Sequence, residues 1–364
     1  MLNIQDLLVA ATEENASDIH INVGLPPILR IYTDLVPTNL SPVTNNDLKD
    51  AVVAMVGQDR FNKLEEKRDL DFSTTSVANG HRFRVNAHYQ RETLAMSFRV
   101  ISDNIPPLES LHLPPIVEQL TELPRGMVLV TGHTGSGKST TLASMIKIIN
   151  ARYKKRIITI EDPIEYMLKN DKCMIEQREI GSDCPEFASG LKHALRQDPD
   201  IIMVGEMRDL EATSSTITAA ETGHLVFSTL HTINAYQTIE RIIDIYPSGQ
   251  QNQIRTMLAN TIQAIISQTL FKRVDEPGMV PCVEILLCTP AVRNCIRENR
   301  LYEIPNIIDT SRKLGMLSMD SSIAEAYSKG FIEHDEAVAR SVNPARMDKL
   351  LASMENFEIV QAPS

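Results

Sequence analysis

Residues 127–131 form an unbroken β-favouring apolar run. Soon after, Leu142, Met145, Ile146 and Ile149 recur at helical spacing over residues 140–150. The pattern predicts a strand and a helix joined by a glycine-rich octapeptide. Further apolar runs at 156–160, 201–204, 224–229 and 280–287 alternate with helix-compatible stretches, which is the texture of an α/β core. The first hundred residues are patterned differently. A helical period covers 3–14. Residues 18–22 and 28–32 alternate like strands, split by Gly24 and the pair Pro26 and Pro27. Helices are predicted over 48–56 and 59–67, and strands over 70–73, 82–89 and 94–100. That mixture predicts an α+β domain with a largely antiparallel sheet. Pro106, Pro107, Pro114 and Pro115 mark a stiff connector. From about Pro290 the pattern is helical only. The expected organisation is an N-terminal domain over 1–101, a linker over 102–115, an α/β core over 116–289 and a helical region over 290–364.

Composition narrows the options. A length of 364 residues with 43% hydrophobic positions has room for two to three domains with real cores. The net charge of −11 argues against a general nucleic-acid or anionic-membrane surface. No apolar run approaches the 18 or so residues of a membrane helix, and the first residues lack the basic start and apolar core of a signal peptide. Cys173, Cys184, Cys282, Cys288 and Cys295 are odd in number and form no Cys-x-x-Cys pair. They read as free thiols of a reducing cytosol, and a tetracysteine metal site is not written here.

The octapeptide Gly132-His-Thr-Gly-Ser-Gly-Lys-Ser139 carries the chemistry. Its glycines let backbone N–H groups converge on phosphate oxygens. Lys138 can reach the β- and γ-phosphates, and the Ser139 hydroxyl is placed to ligate Mg²⁺. The expected nucleotide-binding set is Gly132, Thr134, Gly135, Ser136, Gly137, Lys138, Ser139 and Thr140, with ATP and Mg²⁺ as ligands. Hydrolysis also needs carboxylates at strand ends beside the loop. Glu161, Asp162 and Glu165 follow the run at 156–160, on a turn set by Pro163. Gly205 and Glu206 follow the run at 201–204, where Glu206 can hold the Mg²⁺ shell or its water. His224 and His231 flank a third apolar run. A histidine there either senses the γ-phosphate or satisfies a core carbonyl. Arg82, Arg84, Arg91 and Arg99 lie in or beside the strands of the first domain, as surface charges or as arginines that complete a site from a neighbouring domain.

These segments resemble the ATPases of type II and type IV secretion and pilus systems, and among them the retraction (twitching-motility) branch. The likeness runs nearly end to end. It includes Ala-Ser-Asp-Ile-His at 16–20, Arg-Phe-Arg-Val-Asn at 82–86, the stretch 124–132 and the loop itself. It continues through the acidic segment 160–165, Gly-Glu-Met-Arg-Asp at 205–209 and the histidine segment 223–232. Ala-Val-Arg-Asn-Cys-Ile-Arg-Glu at 291–298 is similar to a retraction-specific motif that usually has isoleucine at Val292 and leucine at Cys295. His133 stands where proline is usual. The resemblance implies a PAS-like N-terminal domain before a RecA-like P-loop core. It implies a homohexamer with ATP at domain interfaces, powering pilus retraction from the cytoplasmic side of the inner membrane. It makes Glu165 the water-activating base and Glu206 the Mg²⁺-associated glutamate, partly through water, with His231 beside them. It makes Arg82 and Arg99 the arginines that reach across domains or subunits. The implied partners are an inner-membrane platform protein and a paralogous motor ATPase, without nucleic acid and without membrane insertion. The alternatives are an accessory motor and a pilus-extension or type II secretion ATPase.

Overall fold

The computed structural model describes residues 3–31, 34–101, 104–345 and 347–352. Tyr32 at the end of an expected strand, Ser102 and Asp103 at the start of the expected linker, and residues 353–364 of the helical region lie outside them. The chain forms two compact units. One is Met1–Asn104 with Pro163–Met167, and the other is Ile105–Asp162 with Leu168–Ser364.

In the first unit, a helix at Ile4–Glu13 starts at Asn3, whose side chain accepts the N–H groups of Gln5 and Asp6. Strands β1 (Ala16–Asn22), β2 (Ile28–Ile31) and β3 (Asp34–Pro37) follow. Helices Asn45–Val56 and Gln58–Lys67 come next, the former opened by a reciprocal Thr44–Asp47 capping box. Strands β4 (Asp69–Thr75), β5 (Arg82–Gln90) and β6 (Thr93–Ile101) complete the unit. The sheet order among the described residues is β3-β2-β1-β6-β5-β4, with antiparallel pairing throughout. Along β5, Phe83, Val85 and Ala87 are buried while Arg82 and Arg84 alternate to the other face. Helix residues Leu8, Leu48 and Leu64 close over that inner face. The sequence pattern did not signal β3, because its four residues are all exposed on an edge strand that ends in Pro37.

The second unit is α/β, as the alternation predicted. Its strands are β7 (Gly126–Thr131), β8 (Arg156–Glu161), β9 (Met174–Glu179), β10 (Ile201–Val204), β11 (Leu225–Leu230), β12 (Ile262–Lys272) and β13 (Met279–Leu287). Their order is β13-β12-β7-β11-β10-β8-β9, parallel except for β13. On β7, Met127 and Leu129 enter one core while Val128 and Val130 enter another, so helices cover both faces. The helix Lys138–Arg152 packs Leu142, Met145 and Ile146 into the second of these.

Two strands had no counterpart in the sequence reading. β12 follows the helix Gln251–Thr261 without a glycine or proline between them, so no break marks the change of period. β9 is the short, charged edge of the sheet. Residues from Ile105 onward pack within the second unit. Lys147 Nζ donates to the Ile105 carbonyl at 2.5 Å, Ser144 Oγ donates to the Pro106 carbonyl at 2.8 Å, and Leu108 is buried. Among the described residues beyond Pro290, helices lie at Pro290–Arg297, Ile304–Thr310, Met319–Ser328 and His334–Ala339.

Candidate functional site

Parallel pairing brings separate sequence segments to one edge. Thr131 of β7 pairs with Leu230 of β11, Ser228 of β11 with Val204 of β10, and Val204 with Ile160 of β8. The carboxyl ends of four strands therefore deliver the glycine loop, Glu161 and Asp162, Glu206, and His231 to the same side of the sheet. That edge is where open α/β sheets bind ligands.

The loop is set by hard contacts. Gly132 has φ +141°, and a Cβ there would stand 2.3 Å from the Gln268 carbonyl oxygen and 2.5 Å from Ser136 Oγ. Gly137 has φ +86° and caps the helix that begins at Lys138. Lys138 is buried, its Nζ donating to the Gly132 carbonyl at 2.8 Å and the His133 carbonyl at 3.0 Å. The first helical turn holds no acidic side chain, so its positive end is available to an anion. Thr134, Gly135 and His133 are exposed, and Ser139 and Thr140 are half-buried.

Glu206 is held from both sides. Arg208 Nε donates to its Oε2 at 2.7 Å, and His231 Nε2 lies 3.1 Å from its Oε1. The Glu206 side chain is 19% exposed. Arg208 Nη1 also reaches Asp162 Oδ2 at 3.0 Å, so one guanidinium joins two acidic segments. The hydrogen bond to Glu206, then the charges of Glu206 and Asp162, raise the Arg208 pKa above its ordinary value. The turn beneath is tied to its neighbours. Gly205 N–H donates to the Ile160 carbonyl at 2.8 Å, and Thr229 Oγ1 donates to the Gly205 carbonyl at 2.5 Å. Glu161 turns inward, accepting from Thr159 Oγ1 at 2.6 Å and Gln177 Nε2 at 3.1 Å.

Of the remaining sequence candidates, one belongs to the second unit and three to the first. His224 precedes β11 at its opposite end, roughly 20 Å away at strand rise. Its Nδ1 is 2.9 Å from the Ala219 carbonyl, which is the core-carbonyl role. Glu165 is exposed, on the Pro163–Met167 segment that groups with the first unit. Arg82 and Arg99 also belong to that unit. Arg82 Nη2 donates to Ser73 Oγ at 2.6 Å, and Arg99 Nε to Asp18 Oδ1 at 2.9 Å. Arg208, Thr229 and Gln268 join the site only through the fold. Arg208 stood inside a quoted motif, whereas Gln268 had no local signal. No group of three or more potential ligands for a metal occurs among the described residues, and no described helix is long and apolar enough to cross a membrane.

The family profile described as type II/IV secretion system protein matches residues 66–329. The chain is 40% identical to the type IV pilus retraction ATPase PilT of Pseudomonas aeruginosa, over 94% of this chain and 99% of that one. It is 36% identical to the type IV pilus ATPase PilU of the same organism, over 95% of this chain and 91% of that one. Among solved structures, the pilus retraction motor PilT with bound ADP superposes with a TM-score of 0.87 at 42% identity, covering 96% of this chain and all of that one. On this likeness, spread over nearly its whole length, the chain belongs to the type II/IV secretion system protein family.

Proposed function

We propose that this protein is an ATP-hydrolysing motor that powers type IV pilus retraction, working as a homohexamer on the cytoplasmic side of the inner membrane. The observation that carries the reading is its likeness to a retraction ATPase across 94% of its length. ATP binds with its phosphates against the N–H groups of the loop Gly132–Ser139 and the start of the following helix. Lys138 offsets charge on the β- and γ-phosphates. Mg²⁺ is part of this reading, carried by the donor chemistry of a hydroxyl beside the phosphate loop and a carboxylate at the same sheet edge. Ser139 and Glu206 would hold it, Glu206 partly through water, and the ion would neutralise charge on the phosphate oxygens. The exposed Glu165 accepts the proton of the attacking water, and His231 hydrogen-bonds at the γ-phosphate. Arg82 and Arg99 reach the nucleotide from another domain or subunit, within a first unit read as PAS-like.

Force passes to the pilus through an inner-membrane platform protein. The net charge of −11 speaks against nucleic acid as cargo. A paralogous motor ATPase is a second partner. The 36% identity to PilU over 95% of the chain favours one further reading, an accessory motor beside the main one. Counting surface pili and scoring twitching in a strain lacking the gene separates these. Excess pili without twitching support the retraction motor. A bald surface indicates an extension motor, and normal pili with normal twitching indicate the accessory role. In the purified protein, Lys138→Ala should lower ATP turnover by about 10²–10³-fold. Unchanged turnover would remove the enzymatic part of the reading.

A further inference from the structure

We infer that Gln268 is a positioning residue for the nucleotide, holding the phosphate loop in its binding shape from behind; the inference rests on the ATPase reading above. β12 runs beside β7, with Ser267 opposite Thr131 and their hydroxyls hydrogen-bonded at 2.9 Å. The next residue, Gln268, is 3% exposed and lies beneath the loop. Its carboxamide Nε2 donates to the Ser136 carbonyl at 2.7 Å, while its Oε1 accepts from Thr141 Oγ1 at 2.9 Å. These two bonds straddle Gly137, the left-handed residue at which loop becomes helix.

The glycines of the loop answer to the same residue. A Cβ on Gly132 would meet the Gln268 carbonyl oxygen at 2.3 Å, and one on Gly137 would meet Gln268 Nε2 at 2.6 Å. The start of the loop, its last turn and the first turn of the helix are therefore all fitted to one side chain and its own carbonyl. The loop grips phosphate with a row of N–H donors, and hydrogen bonds weaken steeply as donors tilt away. A tilt at Gly137 misaims several donors together. Only a primary amide of this length donates to Ser136 and accepts from Thr141 at once. A glutamate lacks the donor, and a methionine lacks both groups.

The test uses the full-length protein, a fluorescent ADP analogue at fixed Mg²⁺, and the unfolding midpoint measured without nucleotide. Gln268→Met should raise the Kd for the ADP analogue by roughly 10–100-fold. The KM for ATP should rise more than kcat falls. A purely structural role predicts the opposite split, with a lowered midpoint and an unchanged Kd in the folded protein. That outcome overturns the inference. Should Gln268→Met fail to fold, Thr141→Val removes one arm of the bridge at nearly constant volume. Weaker ADP binding by this variant supports the inference, and wild-type binding overturns it. A wild-type protein that binds no nucleotide takes down the ATPase reading and this inference together, whereas wild-type binding with an unaffected variant takes down this inference alone.

Discussion

Gly132 and Gly135 belong to one loop but differ in what an added methyl group would meet. At Gly132 the methyl would press on a backbone oxygen of β12, at a φ of +141° that only glycine adopts readily. At Gly135, with φ +79°, nothing among the described residues lies within 4 Å. Gly132→Ala should therefore destabilise by about 3 kcal/mol or more, combining backbone strain with overpacking. Gly135→Ala should cost only the left-handed strain, about 1–2 kcal/mol. Urea titrations followed by circular dichroism compare the two, and equal midpoints would contradict the packed loop. The need for glycine was legible in the motif itself, but the identity of the opposing residue was not. Gln268 lies 132 positions after Ser136 in sequence, and only the pairing of β12 with β7 makes them neighbours. Arg208 was legible as a letter in a motif, yet its bridge between Asp162 and Glu206 needed β8 and β10 side by side.

Secondary-structure elements were legible where they carried their own punctuation. β7, β10 and β11 are short runs buried on both faces and bounded by glycine or a polar turn, so pattern alone located them to within a residue or so. β12 was lost because it continues directly from a helix with no glycine or proline to mark the change, although it supplies the neighbour of the loop strand. The block that follows it is unusually rich in sulfur. Cys282 lies on β13, Cys288 just after it and Cys295 on the helix Pro290–Arg297. All five cysteines are buried, and burial raises each pKa above the ordinary thiol value, to about 12 for Cys282 and Cys288. A coloured disulfide reagent at pH 8 should accordingly react with the native protein only as fast as it opens, and at once with urea-unfolded chain. Fast reaction of the native protein would contradict the burial. The shift also gives stability a pH slope. Unfolded thiols lose protons near 9.0, while folded Cys282 keeps its proton to about 12. The unfolded chain binds fewer protons between those values, so this contribution is complete below pH 9 and is lost as pH rises toward 12. Cys282→Val should flatten the decline, as thermal midpoints across that range would report.

At the scale of the whole molecule, the chain passes between its two units three times, at Asn104–Ile105, Asp162–Pro163 and Met167–Leu168. Composition pointed to the proline-rich connector alone. The second and third passages were not legible, because Pro163–Met167 reads locally as an ordinary turn after a strand and only tertiary grouping assigns it to the first unit. That assignment bears on how hydrolysis would do work. The proposed base Glu165 and the arginines Arg82 and Arg99 travel with one unit, while Lys138, Ser139 and Glu206 travel with the other. On the proposed roles, a reaction that needs both sets would be sensitive to the placement of the units, and loss of the γ-phosphate would remove the charge proposed to draw arginines and lysine together. The expected outcome is a change in inter-unit distance between nucleotide states. Val77 in the first unit is 87% exposed and Tyr302 in the second is 72% exposed, while the native cysteines are buried. Val77→Cys with Tyr302→Cys should therefore take spin labels selectively. Labelled chains diluted into unlabelled protein restrict the signal to pairs within one chain. Pulsed electron–electron resonance with a non-hydrolysable ATP analogue and then with ADP should give two separated distance distributions. Identical distributions would mean that hydrolysis is not coupled to motion between the units, and a motor built on this chain would have to draw its stroke from within the second unit alone.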